Sequence, residues 1–271
     1  MNNPMTRLTI MFLVCTSVVI ASDTPPDPQA HLEALNRQAL EHADQGRFEQ
    51  AIEATEQALK LSESQLGPND PQLVGIMDNL ASLHYRHGQA DQAEILYRRA
   101  VTILEAEYGE DHLYVTIPLN NLAEFLGAQK RYDESEALFR RLIAIHEQAD
   151  LPDNPYYPRV LNNLAEIYRE QGRYAEAESL YHRSLELKQE VMNADHPSIA
   201  ITVNNLGLLH SVQGQYERAE AFFLHALPIF EKALGSDHPD TVKCRGNLEA
   251  VRGKQTRIME PKRQPLITED L

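Results

Sequence analysis

The strongest constraint on this chain is a pattern that returns every 42 residues. The segment from Leu161 to Pro197 carries Asn-Asn-Leu-Ala, then Gly-Arg-Tyr, then Ala-Glu and finally Asp-His-Pro. The same skeleton occurs one period earlier and one period later, and no insertion breaks the register between about residues 29 and 250. A chain that stays in phase over this length is expected to fold as an array of similar units, each packed on its neighbours.

Each unit is predicted to be a pair of helices. Apolar residues recur at helical spacing in both halves, as at Leu161 and Leu164. A glycine such as Gly172 separates the two helices, and an aspartate two residues before a proline, as at Asp195, predicts the start of the next pair. The register gives five full repeats, 29–70, 71–112, 113–154, 155–196 and 197–238, and a half repeat at 239–257.

Small residues indicate how the helices of a pair pack. Ala123, Ala165 and Gly207 occupy one register position of the first helix, and a ring such as Phe223 is predicted to fill the space beside them. Small side chains at these positions allow two helices to approach closely. Pro228 lies within a second helix and is expected to bend that helix or end it early.

These motifs together resemble the tetratricopeptide repeat in its 42-residue form, as found in kinesin light chains and nephrocystin-3-like proteins. The resemblance rests on Asn-Asn-Leu-Ala, Gly-Arg-Tyr, Ala-Glu-x-x-Tyr and Leu-Gly-x-Asp-His-Pro, and it covers most of the chain. It implies an all-α, right-handed superhelical solenoid of helix-turn-helix repeats. It also implies that the first helices line a concave groove that binds a protein or a peptide.

The asparagine pairs are the candidate binding residues, because the resemblance places them on the groove side. An amide offers donors and an acceptor, so a row of amides can hold the main chain of an extended peptide. The alternative is that the amides bridge adjacent helices and only order the solenoid. The predicted groove residues are Asn79, Asn120, Asn121, Asn162, Asn163, Asn204, Asn205, Asn247, Arg159, Arg169 and Lys243.

The three cations of that set are candidates for contact with a carboxylate of the bound peptide, although ordinary solvated charges are the alternative. The same register places Tyr85, Glu124 and Glu166 in the groove, so that cations and anions are roughly balanced there. The whole chain is strongly acidic, with 25 basic and 40 acidic residues and a net charge of −15. Such a chain repels phosphate backbones, and nucleic acid is not expected as a partner.

The amino-terminal residues predict export. Arg7 precedes an apolar run from Leu8 to Ile20, and the small residue Ala21 follows it. This arrangement is typical of a secretory signal peptide, so residues 1–21 are predicted to be a signal and residues 22–28 a proline-rich spacer. The protein is then periplasmic or secreted. An uncleaved anchor at residues 8–20, which would add membrane contact, is the alternative, although about 20 apolar residues are needed to span a bilayer.

No motif for catalysis or for a cofactor is found. The sequence lacks Gly-x-Ser-x-Gly, His-Glu-x-x-His, Cys-x-x-Cys and a phosphate-binding loop. His84 and His87 lie three residues apart without a clear third metal ligand, and Cys244 would be the one cysteine left after loss of Cys15 with the signal. We therefore expect no enzymatic activity, no cofactor, no metal and no small-molecule substrate.

Two functions compete at this point. The first is a non-catalytic scaffold that holds a peptide or protein segment in the concave groove. The second is a structural assembly factor of a cell-envelope complex that uses its outer face or its termini. Substitutions in the groove should abolish partner binding in the first case only. Residues 258–271, charged and proline-containing, are expected to form a disordered tail in either case.

Overall fold

The computed structural model describes residues 27–149 and 154–259, and over these residues the chain forms α-helices and no strand. The predicted signal peptide, most of the spacer and the tail from residue 260 lie outside the described residues. The fold is an all-α solenoid. The helices are α1 (Pro28–Asp44), α2 (Phe48–Leu66), α3 (Val74–Arg86), α4 (Ala90–Tyr108), α5 (Thr116–Ala128), α6 (Tyr132–Gln148), α7 (Tyr156–Glu170), α8 (Tyr174–Val191), α9 (Pro197–Val212), α10 (Tyr216–Leu234) and α11 (Pro239–Met259).

The helices stack in chain order, each packed on the one before it. In addition, successive odd-numbered helices touch one another directly, namely α3 with α5, α5 with α7, α7 with α9 and α9 with α11. These first helices of the repeats therefore form an inner layer, and the even-numbered second helices lie outside it. None of the described helices is long and apolar enough to cross a bilayer.

The helices of each pair approach closely where small residues meet. Ala123, Ala165 and Gly207 are fully buried on the first helices, and the rings of Phe139, Tyr181 and Phe223 are fully buried beside them on the second helices. At Gly207 there is no room for a side chain, because a Cβ atom there would lie 2.6 Å from a ring carbon of Phe223. The predicted packing of a ring beside a small residue is thus confirmed.

The second helix of the fifth repeat does not end early at its proline, which was one of the two predicted effects. Pro228 lies inside α10, yet the helix continues to Leu234. A proline removes one backbone hydrogen bond, and the burial of Ile229 and Phe230 directly after it favours the helical path. Tertiary packing therefore outweighs the local cost.

The residues that start the repeats also correct a prediction. The first residue of each Asp-His-Pro-type motif is expected to cap the next helix, but the side chain that caps is that of the second residue of the motif. In the third, fifth and sixth repeats this residue is a histidine whose Nδ1 accepts a backbone N–H. The bonds are Gln72 N to Asp70 (2.8 Å), Tyr114 N to His112 (3.2 Å), Tyr156 N to Asn154 (3.0 Å), Ser198 N to His196 (3.2 Å) and Asp240 N to His238 (3.2 Å).

Ion pairs join the second helices of successive repeats. Arg131 of one Gly-Arg-Tyr-type turn donates to Glu94 at 2.6 Å, and Arg173 of the next turn donates to Glu136 at 2.8 Å. Each arginine thus reaches back to the preceding repeat. Because these side chains are partly exposed, each pair contributes only about 0–1 kcal/mol. These two pairs give the arginines of the third and fourth repeats a structural role.

Lys188 is a buried cation at the junction of the fourth and fifth repeats. Its Nζ donates to the backbone oxygen of Ser198 at 3.0 Å and to Oγ1 of Thr202 at 2.7 Å, and no carboxylate pairs with it among the described residues. Burial lowers the pKa of Lys188 to about 8. An ammonium group held only by neutral acceptors is expensive to bury, so this residue weakens the folded state at neutral pH.

We predict that the substitution His196→Ala lowers the free energy of unfolding by about 0.5–2 kcal/mol, because it removes the cap of α9. The substitution His196→Asn should retain most of the stability, since an asparagine caps the equivalent position in α7. Urea unfolding followed by circular dichroism at mildly alkaline pH tests this. Equal losses in the two variants would contradict a capping role.

We predict that Lys188→Met raises the free energy of unfolding at pH 7 by about 1–3 kcal/mol, because it removes a buried charge while filling a similar volume. Between the folded pKa of about 8 and the ordinary value of 10.5, the unfolded wild type binds more protons than the folded form. Wild-type stability should therefore rise with pH across that window. The difference in free energy of unfolding between Lys188→Met and the wild type should shrink by the same amount. A difference that does not change with pH would contradict this account.

Candidate functional site

The candidate site is the surface that the inner helices turn away from the core. Each inner helix keeps one exposed or half-exposed stripe at spacings of three and four residues, which places its members on one side of the helix. Because the inner helices contact one another, the stripes form a continuous surface, here called the groove. Its central members are Ile117, Asn121, Glu124 and Ala128 in α5, Arg159, Asn163, Glu166 and Glu170 in α7, and Ile201, Asn205, Leu208 and Val212 in α9.

The predicted asparagines form a ladder that runs along the groove. In each pair, the amide nitrogen of the second residue donates to the first residue of the pair one repeat earlier. The bonds are Asn121 to Asp78 (3.0 Å), Asn163 to Asn120 (3.2 Å), Asn205 to Asn162 (3.4 Å) and Asn247 to Asn204 (3.3 Å). This amide ladder links four successive junctions, so bridging of adjacent helices is one role that these amides do fill.

The two members of a pair differ in accessibility. Asn120 and Asn162 are only 2% and 5% exposed. They lie behind the groove surface, which differs from the expectation that the first amide contacts a ligand. Asn204 is half-buried. The reason is geometric: a residue one position earlier on a helix lies about 100° around the axis, and here that direction faces the neighbouring helix.

The second members are reached from the groove. Asn79 is exposed, and Asn121, Asn163, Asn205 and Asn247 are half-exposed. Each of them lines one of the shallow hollows that the groove contains between successive inner helices. These five residues are brought together in one row, and their contact with a ligand stays a prediction.

Glu124 is the most highly oriented group of the groove. One of its oxygens accepts from Asn120 at 2.7 Å and from Asn163 at 2.5 Å, so amides of two successive repeats hold the same carboxylate. The side chain is exposed and forms no ion pair with any described residue. The amide ladder therefore presents a fixed, unneutralised negative charge to the groove.

The three predicted cations are not equivalent. Arg169 is already paired with Glu170 at 2.7 Å and Glu166 at 3.4 Å, so it is not free to bind a carboxylate of a ligand. Arg159 is exposed, with its guanidinium 5.3 Å from the ring centre of Tyr156. Lys243 is exposed and lines the hollow between α9 and α11 beside Asp240. The structure therefore leaves Arg159 and Lys243 at separate places in the groove.

Asp78 takes the place of an asparagine at the start of the ladder. One oxygen accepts from Asn121, and the other is buried without a hydrogen-bond partner among the described residues. Burial raises the pKa of Asp78 to about 6, and the bond from Asn121 opposes that rise. The carboxylate is charged at neutral pH, and its incomplete solvation weakens the fold there.

The described region shows no group of three histidine, cysteine, aspartate or glutamate side chains that could hold a metal ion. His84, one of the two histidines noted in the sequence, is buried and its Nδ1 lies 2.6 Å from Oε1 of Gln89, while His87 is exposed. Cys244 is buried, with its Sγ 3.8 Å from the backbone oxygen of Phe223.

The repeat geometry and the sequence agree with one family. The tetratricopeptide repeat family model matches residues 31–106, 77–148, 114–190, 156–232 and 198–257, which is well over half of the chain. The chain belongs to the tetratricopeptide repeat family. Proteins of this family generally serve as protein-binding scaffolds. A comparison with curated protein sequences finds no match.

Solved structures share the fold of this tetratricopeptide repeat protein at low sequence identity. The repeats of a candidate kinesin light chain from Podosopora anserina match with a TM-score of 0.62 and 20% identity, covering 78% of this chain and 99% of that one. BtubC (BKLC) from P. vanneervenii matches with a TM-score of 0.61 and 23% identity, covering 88% and 97%. PilW, a type IV pilus biogenesis factor, matches with a TM-score of 0.54 and 22% identity, covering 84% and 91%.

At identities below 25%, these likenesses show the fold alone and do not extend to what those proteins bind.

We predict that Asp78→Asn raises the free energy of unfolding at neutral pH by about 1–3 kcal/mol. Asparagine occupies the equivalent ladder positions 120, 162 and 204, and its carbonyl can still accept from Asn121. The folded wild type takes up a proton near pH 6 and the unfolded chain near 3.8, so wild-type stability should recover as the pH falls through this window.

Urea unfolding at pH 7.5 and pH 4.5 checks both parts of this prediction. The advantage of the variant should be large at the higher pH and reduced at the lower one. A variant less stable than wild type at pH 7.5 would show that the carboxylate, and not an amide, is what this position requires.

Proposed function

We propose that this protein is an exported, non-catalytic scaffold that holds an extended segment of a partner protein in its groove. The observation that carries the proposal is the combination of exposed apolar and polar side chains along one continuous surface. Ile117 is 46% exposed, Ile201 is 39% exposed and Tyr85 is 38% exposed, and half-exposed amides lie between them. Exposed apolar side chains rimmed by polar groups are typical of protein-binding surfaces.

The polar groups suit a peptide main chain. Asn121, Asn205 and Asn247 each use one N–H in the ladder and keep a second N–H and a carbonyl oxygen for other partners. Asn163 donates to both Asn120 and Glu124 and keeps its carbonyl oxygen. An asparagine of this row lies on every inner helix from α3 to α11, so an extended chain along the groove meets one at each step. Such contacts demand little of the ligand sequence, and the side chains between the amides supply selectivity.

The shape of the groove also favours a partner chain over a small substrate. Its hollows are shallow and open, and they are spread over successive helices. Sites for small molecules are usually concave enough to bury most of the ligand. A catalytic site needs a nucleophile, a base and an orienting group that converge on one point, and the groove presents its polar groups as a row.

Site-specific photo-cross-linking in the source organism tests this function. We predict that a photoreactive residue at position 117 or 201 of the groove captures the same partner protein. Matched positions on the second helices, Ile95 in α4 and Leu224 in α10, are exposed apolar residues and should capture nothing specific. Circular dichroism establishes that each variant is folded.

The opposite pattern would favour the assembly function. Capture from positions 95 and 224, with none from positions 117 and 201, would place the partner on the outer face and overturn binding in the groove. Export is tested separately by amino-terminal sequencing of the protein recovered outside the cytoplasm, which should begin at Ser22. A full-length chain in the membrane fraction would favour the anchored alternative.

A further inference from the structure

The hollow between α3 and α5 differs from the rest of the groove in its charge. It has a volume of ≈ 430 Å³, and two carboxylates, Asp78 and Glu124, lie in its wall. No lysine or arginine of the described chain lines it. The next hollow, between α5 and α7, shares Glu124 and also has Glu166 and Glu170 in its wall, but it contains Lys130, and Arg169 pairs with both of those glutamates. The hollow between α9 and α11 contains Lys243 beside Asp240. Of these three hollows, the one between α3 and α5 has carboxylates in its wall and no lysine or arginine.

The floor of this hollow is aromatic. Phe125 and Tyr97 are buried with their ring centres 5.4 Å apart, and Tyr85 stands against Phe125 at 5.5 Å with its plane nearly perpendicular. Tyr85 remains partly exposed and forms one side of the hollow. Aromatic faces attract cations through their quadrupole, most strongly where solvent is partly excluded.

Glu124 supplies a charge whose position is fixed in advance. Its two hydrogen bonds from Asn120 and Asn163 involve the same oxygen, so the second oxygen remains available to a ligand. The orientation costs nothing on binding, because the fold has already ordered the side chain. The amide ladder thus sets the orientation of the Glu124 carboxylate in the groove.

The charges of Asp78 and Glu124 also act on a neighbouring buried group, the phenol of Tyr97. The pKa of Tyr97 is raised to about 12, first by burial and then by the charges of Asp78 and Glu124. The part of this rise that the two carboxylates cause reflects the same negative field that would favour a cation in the hollow.

We propose that the hollow between α3 and α5 is a subsite for an arginine or lysine side chain of the segment bound in the groove. The cation would lie against the ring of Tyr85, with Glu124 as its ion-pair partner and Asp78 adding to the field. This rests on the proposed function, and it names the chemistry of the partner: a segment that carries a basic residue, held by an acidic scaffold.

Two short acetylated and amidated peptides of alanine and serine test the subsite, one with a central arginine and the other with citrulline in its place. Citrulline keeps the shape and lacks the charge. Both are titrated at millimolar concentration into the isotope-labelled exported protein, and amide shifts are followed by NMR. We expect the arginine peptide to shift signals of α3 and α5 and to bind at least about tenfold more tightly, which corresponds to about 1.4 kcal/mol.

Glu124→Gln is the decisive variant, since its side-chain carbonyl can still accept from both asparagines while the charge is lost. It should reduce the preference for arginine to about twofold or less, because the charge-assisted contact is gone. Glu107→Gln removes the same charge from an exposed position on α4 and should leave the preference unchanged. Circular dichroism establishes that both variants are folded.

Each remaining outcome overturns the subsite. Equal binding of the two peptides in the groove would show that the groove holds peptides without selecting a cation, so the proposed function would stand and the subsite would fall. A preference lost equally in Glu107→Gln would reveal general attraction to an acidic protein. The absence of any shift with either peptide would also refute the subsite, while the cross-linking experiment decides the function independently.

Discussion

The close approach of the two helices within each repeat is the interaction on which the other features depend. Fully buried alanines such as Ala123, with Gly207 at the tightest place, allow a ring on the second helix to fill the space beside the first. One repeat cannot bury its apolar faces alone, so the pairs stack. Stacking at a constant step then brings the inner helices into contact and creates the groove. The groove, which is the proposed binding surface, is therefore a consequence of helix packing.

The amide ladder connects the stability of the array with its proposed function. Its hydrogen bonds cross four repeat junctions, which is an architectural role. Two of the same amides hold the carboxylate of Glu124, which belongs to the proposed subsite. From the sequence, bridging of adjacent helices and binding of a ligand are alternative roles for the asparagines. In the structure, the two roles are divided between the two members of each pair. The buried member bridges, and the exposed member can do both.

Two departures from the repeat pattern lower the stability of the folded chain. Asp78 replaces an amide in the ladder and is left with one unpartnered oxygen. Lys188 buries an ammonium group with only neutral acceptors. Of the two, only Asp78 lies in a hollow of the groove. A cationic ligand bound in that hollow would compensate the cost of burying the Asp78 carboxylate. Lys188 lies outside the hollows of the groove, so a ligand bound there would not compensate its burial.

The sequence by itself determined the fold class and the positions of the helix pairs, because a repeated apolar pattern in constant register can bury its faces in essentially one way. It also identified the row of second asparagines on the groove side of the inner helices, but it did not separate them from the first asparagines, two of which are buried. It assigned the caps to the wrong residue of Asp-His-Pro, since a shift of one position does not alter the periodicity. It could not decide whether Pro228 ends α10 early, because the packing that maintains the helix beyond the proline is not visible locally.

Only the tertiary structure decided which polar groups are accessible. Asn120 and Asn121 are neighbours in an Asn-Asn pair, yet the first is buried and the second lines the groove. Arg169 and Glu124 both occupy groove positions, but one charge is neutralised and the other is held free. These differences depend on contacts between residues about one repeat apart, and a pattern read along one helix cannot contain them. Periodicity fixes which side of a helix a residue occupies, whereas hydrogen bonding and ion pairing across the junctions fix what that residue can still bind.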